Sequence, residues 1–215
     1  MENIRRNRGF KNGIVYWMWN DCWPASSGWA FVDYYCLPKA SFYSFKRCAK
    51  QILASVDKKE AYEIYLCNDG LSEKKLKLSL SYVRNGEVKA IEDRDIVINS
   101  AISEKVVSLP EAAVPEDSLL VCDVLCDGEL IDRAFYKSGT LPMVPADCVS
   151  VVSKTENSIT VTADKYVHAV ELDGEYVFED NYFSLLPGEK RTVMFHRSFD
   201  SKSDSIEVSG YTVAL

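Results

Sequence analysis

Two short runs constrain the fold of this chain more than anything else in it. Leu76-Lys77-Leu78-Ser79-Leu80-Ser81-Tyr82-Val83 alternates apolar and polar residues and stops at Asn85-Gly86. Leu119-Leu120-Val121-Cys122-Asp123-Val124-Leu125 stops at Asp127-Gly128, and Leu130 to Tyr136 restarts. Successive side chains of a strand point to opposite faces, so period two predicts strands lying on a core. Asn-Gly and Asp-Gly supply the positive φ that tight hairpin turns require. A third run, 61–67, closes on Asn68-Asp69-Gly70, another turn signal. Several short strands between such turns predict a β-sandwich over residues 51–140. A second set, at 148–152, 158–163, 167–172, 191–195 and 206–208, predicts a smaller sandwich over 141–215. The stretch 138–145, with Gly139, Pro142 and Pro145, reads as the linker between them.

Residues 1–50 are of another kind. All four tryptophans lie there, and none follows. Gly13-Ile14-Val15-Tyr16-Trp17-Met18-Trp19 is a continuous apolar run ending at Asn20-Asp21, which predicts a strand buried on both faces, as in a parallel sheet or barrel. A loop with Pro24, Ser26, Ser27 and Gly28 follows. The stretch 39–50 then reads as an amphipathic helix with Phe42, Phe45 and Ala49 on one face and basic residues late, where they suit the helix dipole. Strand, long loop and helix make one βα unit.

The formal net charge of -7 and pI of about 5.0 suit neither a nucleic-acid backbone nor an anionic membrane. The densest basic stretch, Arg5 to Lys11, is short and reads as a solvated face. No apolar run approaches the length of a transmembrane helix, and no signal-peptide stretch follows MENIRRNRGF; a secretion signal of any parent protein would lie upstream. Seven scattered cysteines without a CxxC, and two distant histidines, predict reduced thiols, a cytoplasmic setting, no metal site and no cofactor.

The run Tyr16-Trp17-Met18-Trp19-Asn20-Asp21-Cys22-Trp23-Pro24, then Gly28-Trp29-Ala30-Phe31-Val32-Asp33-Tyr34-Tyr35, Pro38-Lys39-Ala40 and Lys46-Arg47 resembles bacterial β-mannosidases of glycoside hydrolase family 2. Their last barrel strand reads approximately YWQxNDxWP, followed by a SWxxxDYYGxPK loop and an aromatic-rich helix. Far along the chain, Phe178-Glu179-Asp180-Asn181-Tyr182-Phe183-Ser184-Leu185-Leu186-Pro187-Gly188-Glu189 resembles the FsDNYFdLlPGE segment of the family's terminal immunoglobulin-like domain. Met18 stands where the family has Gln, Cys36 where it has Gly, and Gly28 is inserted before Trp29.

The resemblance implies a mainly β chain: the last βα unit of a (β/α)8 barrel at 1–50, then two immunoglobulin-like sandwiches at 51–140 and 141–215. It implies a C-terminal portion of a retaining exo-glycosidase acting on terminal β-mannosides, with a β-linked oligosaccharide or glycoside as partner. Exo-β-glucosaminidases carry a similar strand and loop, and a non-catalytic sandwich module for interaction or carbohydrate binding is the other alternative. Retaining hydrolysis needs two carboxyl groups about 5 Å apart. In this family both are glutamates upstream of anything present here, so no catalytic residue is assigned and the isolated chain is expected to be inactive.

Barrel active sites form at the C-terminal strand ends. Trp17 is therefore the leading substrate-binding candidate, as an aromatic floor for a sugar ring, with Asn20, Asp21 and Trp23 at the rim. Strand alternation allows only one of Trp17 and Trp19 to face a pocket. Asp33 reads as a turn anchor, Asp180-Asn181 as a turn, and Tyr182, Phe183 and Leu185 as sandwich core. His168 and His196 carry no functional signal. A βα unit without its neighbours exposes apolar surface, so residues 1 to about 35 are expected to be poorly ordered, or to pack on a sandwich or on a second copy of the chain. The helix is expected to dock on the first sandwich.

Overall fold

The hairpin signals act as their chemistry requires. In the computed structural model, which describes residues 1–137, 143–198 and 202–213, Asn85 and Gly86 take φ of 51° and 79°, and Asp127 and Gly128 take 51° and 85°. These positive values let β3 (Lys74–Arg84) turn into β4 (Glu87–Ile98), and β6 (Leu119–Cys126) into β7 (Glu129–Tyr136), as antiparallel hairpins with one register shift in each. The four form one antiparallel sheet in the order β4-β3-β6-β7. A second, three-stranded sheet runs β1 (Ile52–Lys58), β2 (Ala61–Asn68), β5 (Ile102–Pro110).

Alternation places Leu76, Leu78 and Leu80 inward against Leu120, Cys122 and Val124 from one sheet and Ile64 and Leu66 from the other. Strand β4 has little apolar periodicity because it is an edge. Its sequence EVKAIEDRDIVI is mostly exposed and heavily charged, which discourages pairing with another chain. Asn68 is fully buried; its Nδ2 donates to the carbonyls of Ser72 and Asn99, and its Oδ1 accepts from the Gly70 amide.

The second sandwich pairs β12 (Tyr176–Phe178), β14 (Lys190–Arg197), β10 (Ser158–Ala163) and β9 (Val149–Lys154) in one sheet. The other holds β13 (Phe183–Leu185), β11 (Val167–Asp173), β15 (Glu207–Val213) and β8 (Met143–Pro145). Phe183 and Leu185 are core residues, as expected, with Ile159, Val161, Val170 and Phe195. Most of the expected linker at 138–145 lies outside the described residues. Its last three form β8, which pairs with β15 and so belongs to the sandwich.

The chain divides into two compact units. One joins Met1–Ile14 to the first sandwich; the other joins Val15–Arg47 to the second. Several expectations are corrected here. Residues 13–19 form no strand: with no neighbouring strand to bond its backbone, the run follows an irregular path with most of its side chains exposed. Both Trp17 and Trp19 are therefore exposed, because the alternation that would separate them is absent.

The basic stretch is not wholly solvated, and the chain's start takes one of the expected courses, packing on the first sandwich. Glu2–Arg6 is a short helix, α1, and the Arg5 side chain is 10% exposed. Its guanidinium donates to the carbonyls of Cys48 and Lys50, each at 2.7 Å, and pairs with Asp69 at 3.1 Å. The helix expected at 39–50 is α2 (Ala40–Cys48), and its deepest side chain is Tyr43, with Phe42 and Phe45 half-buried and Ala49 exposed. Finally, Tyr43 is 1% exposed within the core of the second sandwich, not the first.

Candidate functional site

The loop between the tryptophan run and α2 is built from the inside outward. Val32 is its hub, bridging Asn20 in parallel and Pro38 antiparallel. The Asp21 amide donates to the Val32 carbonyl, and the Val32 amide to the Trp19 carbonyl, both at 3.0 Å. Lys39 donates its amide to the Phe31 carbonyl at 2.8 Å, so α2 begins where the loop is already tied. These few bonds stand in for a sheet ladder in an otherwise irregular segment.

An aromatic cluster fixes one side of the loop. Tyr16 stacks on Phe31 with ring centroids 3.6 Å apart, Phe31 meets Phe45 at 4.8 Å, and Trp19 sets its edge against Phe31 and Phe42. Tyr16 Oη also donates to the Trp29 carbonyl at 3.0 Å. The cluster anchors the loop to α2, and Trp19 belongs to it.

The four expected site residues divide into two kinds. Trp17 is 75% exposed and Trp23 69%, with neither ring in the cluster. Asn20 turns its Nδ2 to the Asp21 carbonyl at 3.2 Å. Asp21 is 7% exposed and forms an ion pair with Lys39. Asp33 holds the next turn, its Oδ1 accepting from the Leu37 amide at 2.8 Å. Trp29 adds a third outward indole at 79% exposure, and Tyr35 stands nearby in the same loop.

Two contributors were not legible in sequence. Lys39 lies 18 positions from Asp21 and belongs to no common period. Gly28 is needed because a Cβ there would sit 2.6 Å from Asp21 Oδ1, so only glycine lets the chain pass the buried carboxylate. The insertion of Gly28 and the burial of Asp21 are thus one feature.

Elsewhere, His168 lies in β11 with Nδ1 at 2.9 Å from Tyr166 Oη. Burial, with the Arg47 charge second, lowers its pKa. Cys122 is buried in the first core and its thiol is pushed up by desolvation. No three His, Cys, Asp or Glu side chains converge as a metal site among the described residues.

The Ig_mannosidase family, an Ig-fold domain, matches residues 143–213. The chain is 25% identical over 213 residues to β-mannosidase B of Aspergillus terreus, an alignment covering 84% of this chain and 25% of that protein. It is 29% identical to β-mannosidase B of Aspergillus oryzae over 212 residues, with the same coverage. It therefore spans about a quarter of the length of these relatives. Among solved structures, a β-D-mannosidase from Dictyoglomus thermophilum superposes with a TM-score of 0.77 at 23% identity, over 97% of this chain and 27% of that one. An exo-chitosanase from Amycolatopsis orientalis gives 0.71 at 15%, over 99% and 32%. Residues 143–213 thus match the Ig-fold domain of the mannosidase family, and most of the chain is similar to about a quarter of the length of these β-mannosidases.

Proposed function

We propose that this chain is the C-terminal part of a retaining exo-glycosidase that removes terminal β-mannosides, and that it supplies a wall of the sugar site without the reacting groups. Residues 1–50 would then derive from the last βα unit of a (β/α)8 barrel, whose other strands give Trp17 its neighbours. The observation that carries the proposal is the loop 16–35: its backbone and one aromatic side are fixed, while Trp17, Trp23 and Trp29 stay outward. An indole face packs on the apolar C–H face of a pyranose while the ring hydroxyls remain available for hydrogen bonds. Trp17 and Trp23 would touch the sugar; Asn20 and Asp21 would set the height and angle of the loop between them.

Both carboxylates of this loop are engaged, Asp21 by Lys39 and Asp33 by the Leu37 amide. Retaining hydrolysis needs two free carboxyl groups roughly 5 Å apart, a role that these two engaged side chains do not fit. The 215-residue chain should therefore not hydrolyse an aryl β-mannoside. Turnover by the purified chain that disappears in Asp21→Asn would refute this.

An exo-β-glucosaminidase parent is the second reading, favoured by Met18 and by the exo-chitosanase likeness in fold. Assaying the longer protein with aryl β-mannoside and aryl β-glucosaminide side by side separates the two. In the isolated chain the outward tryptophans are also a surface for self-association, which sedimentation over a range of concentrations would reveal.

A further inference from the structure

The segment Phe178-Glu179-Asp180-Asn181-Tyr182 has no role in the proposed sugar site, yet it is among the most heavily bonded stretches of the second unit. It crosses from β12 in one sheet to β13 in the other. Past Phe178, which still pairs with Phe195, its residues lie outside the strands and their carbonyls need other donors. The crossing is held rigid from below. Asn181 is buried, its Oδ1 accepting from the Leu172 amide and its Nδ2 donating to the Leu172 carbonyl, both at 2.8 Å. Tyr182, at φ 52°, donates its hydroxyl to Glu171 Oε1 at 3.0 Å.

Helix α2 provides the donors. Tyr43 Oη donates to the Phe178 carbonyl at 3.3 Å, and Lys46 Nζ to the Glu179 carbonyl at 2.6 Å. The Arg47 guanidinium donates to Asp180 Oδ1 at 2.6 Å, to the Asn181 carbonyl at 2.9 Å and to the Tyr182 carbonyl at 3.0 Å. Each of five consecutive residues offers one acceptor, and positions 43, 46 and 47 meet them because residues three and four apart share a helix face. Arg191 from β14 takes the other oxygen of Asp180 at 2.5 Å and covers the Phe183 ring. Asp180 thus stands between a helix arginine and a sheet arginine, and a planar guanidinium suits this multiple capture better than an ammonium.

We propose that residues 178–182 are a clamp whose function is to position the aromatic loop, with Asp180 and Arg47 as its positioning pair. The link is short: α2 carries Phe42 and Phe45, which hold Trp19, Phe31 and Tyr16. Helix orientation therefore sets where Trp17 and Trp23 stand. The consequence for sugar recognition rests on the function proposed above; the clamp itself does not.

All four tryptophans lie in this loop, so their time-resolved anisotropy in the full 215-residue chain reports its mobility alone. Asp180→Asn and Arg47→Met should each raise the amplitude of the fast local component roughly twofold, with strand circular dichroism unchanged. Arg47→Lys should restore it in part, and Glu179→Ala, which keeps its carbonyl, should behave as wild type. Unchanged anisotropy in both Asp180→Asn and Arg47→Met would overturn the clamp. So would loss of the strand signal in both, since the pair would then be holding the sandwich and not the loop. Loosened tryptophans in the variants, with no response of wild-type fluorescence to methyl β-mannoside, would leave the clamp standing and remove the sugar wall.

Discussion

Tyr43 tests whether α2 is part of the second unit's core or an attachment to it. Its ring is 1% exposed, among side chains of the second sandwich, and its hydroxyl reaches the Phe178 carbonyl at 3.3 Å. Removing only the hydroxyl, in Tyr43→Phe, deletes one hydrogen bond and should cost about 1 kcal/mol. Removing the ring, in Tyr43→Ala, also leaves a cavity in close-packed surroundings, for which about 3–5 kcal/mol is usual for an aromatic side chain. For a unit of roughly 100 residues, the first corresponds to a drop in Tm of a few degrees and the second to more than about 10 °C. The assay is thermal unfolding followed by strand circular dichroism and tryptophan anisotropy together, and both should shift by the same amount. If anisotropy falls early in Tyr43→Ala while the strand transition stays at the wild-type temperature, the helix is an attachment and its place in the core is refuted. A pH series adds a second check. Burial raises the Tyr43 pKa from 10.0 to about 12. The folded state favours the neutral phenol, so this contribution is complete below pH 10 and is lost as pH rises towards 12. Tyr43→Phe should lack that alkaline slope.

Gly28→Ala places a methyl group 2.6 Å from Asp21 Oδ1 and must displace the Asp21–Lys39 pair. About 1–3 kcal/mol of overpacking should appear as a lower tryptophan anisotropy at 25 °C, with the sandwich transition little changed. Glu63 accepts from Lys59 Nζ at 2.8 Å, Lys105 Nζ at 2.9 Å and Tyr65 Oη at 3.0 Å. Those bonds, the Lys59 bond foremost, hold its pKa at about 2 against an ordinary 4.5. A depressed carboxylate stabilises above its unfolded pKa, so the first sandwich should weaken as pH falls from 4.5 towards 2. Glu63→Gln should flatten that acid limb in urea titrations, and an unchanged limb would show that the three bonds are not held in solution.

What sequence alone determined is local. Period two in 76–83 and 119–125, and the φ tolerance of Asn-Gly and Asp-Gly, specified hairpins because strand faces and tight turns depend on neighbouring residues only. Phe183 and Leu185 were legible as core for the same reason. The tryptophan run shows the limit. Its apolar content predicts a strand, but a strand exists only where another bonds to it, and without one residues 13–19 leave the ladder. Trp17 and Trp23 could be named as candidates from residue type and resemblance. That Asp21 is buried against Lys39, or that Gly28 makes room for it, could not, since both depend on how a loop folds back over itself. The clamp lies furthest from sequence: Arg47 and Asp180 are 133 positions apart, one on a helix and one in a crossing between sheets. Tertiary packing alone brings unpaired carbonyls to a helix face that can satisfy them, and it chose the second sandwich as the seat of Tyr43.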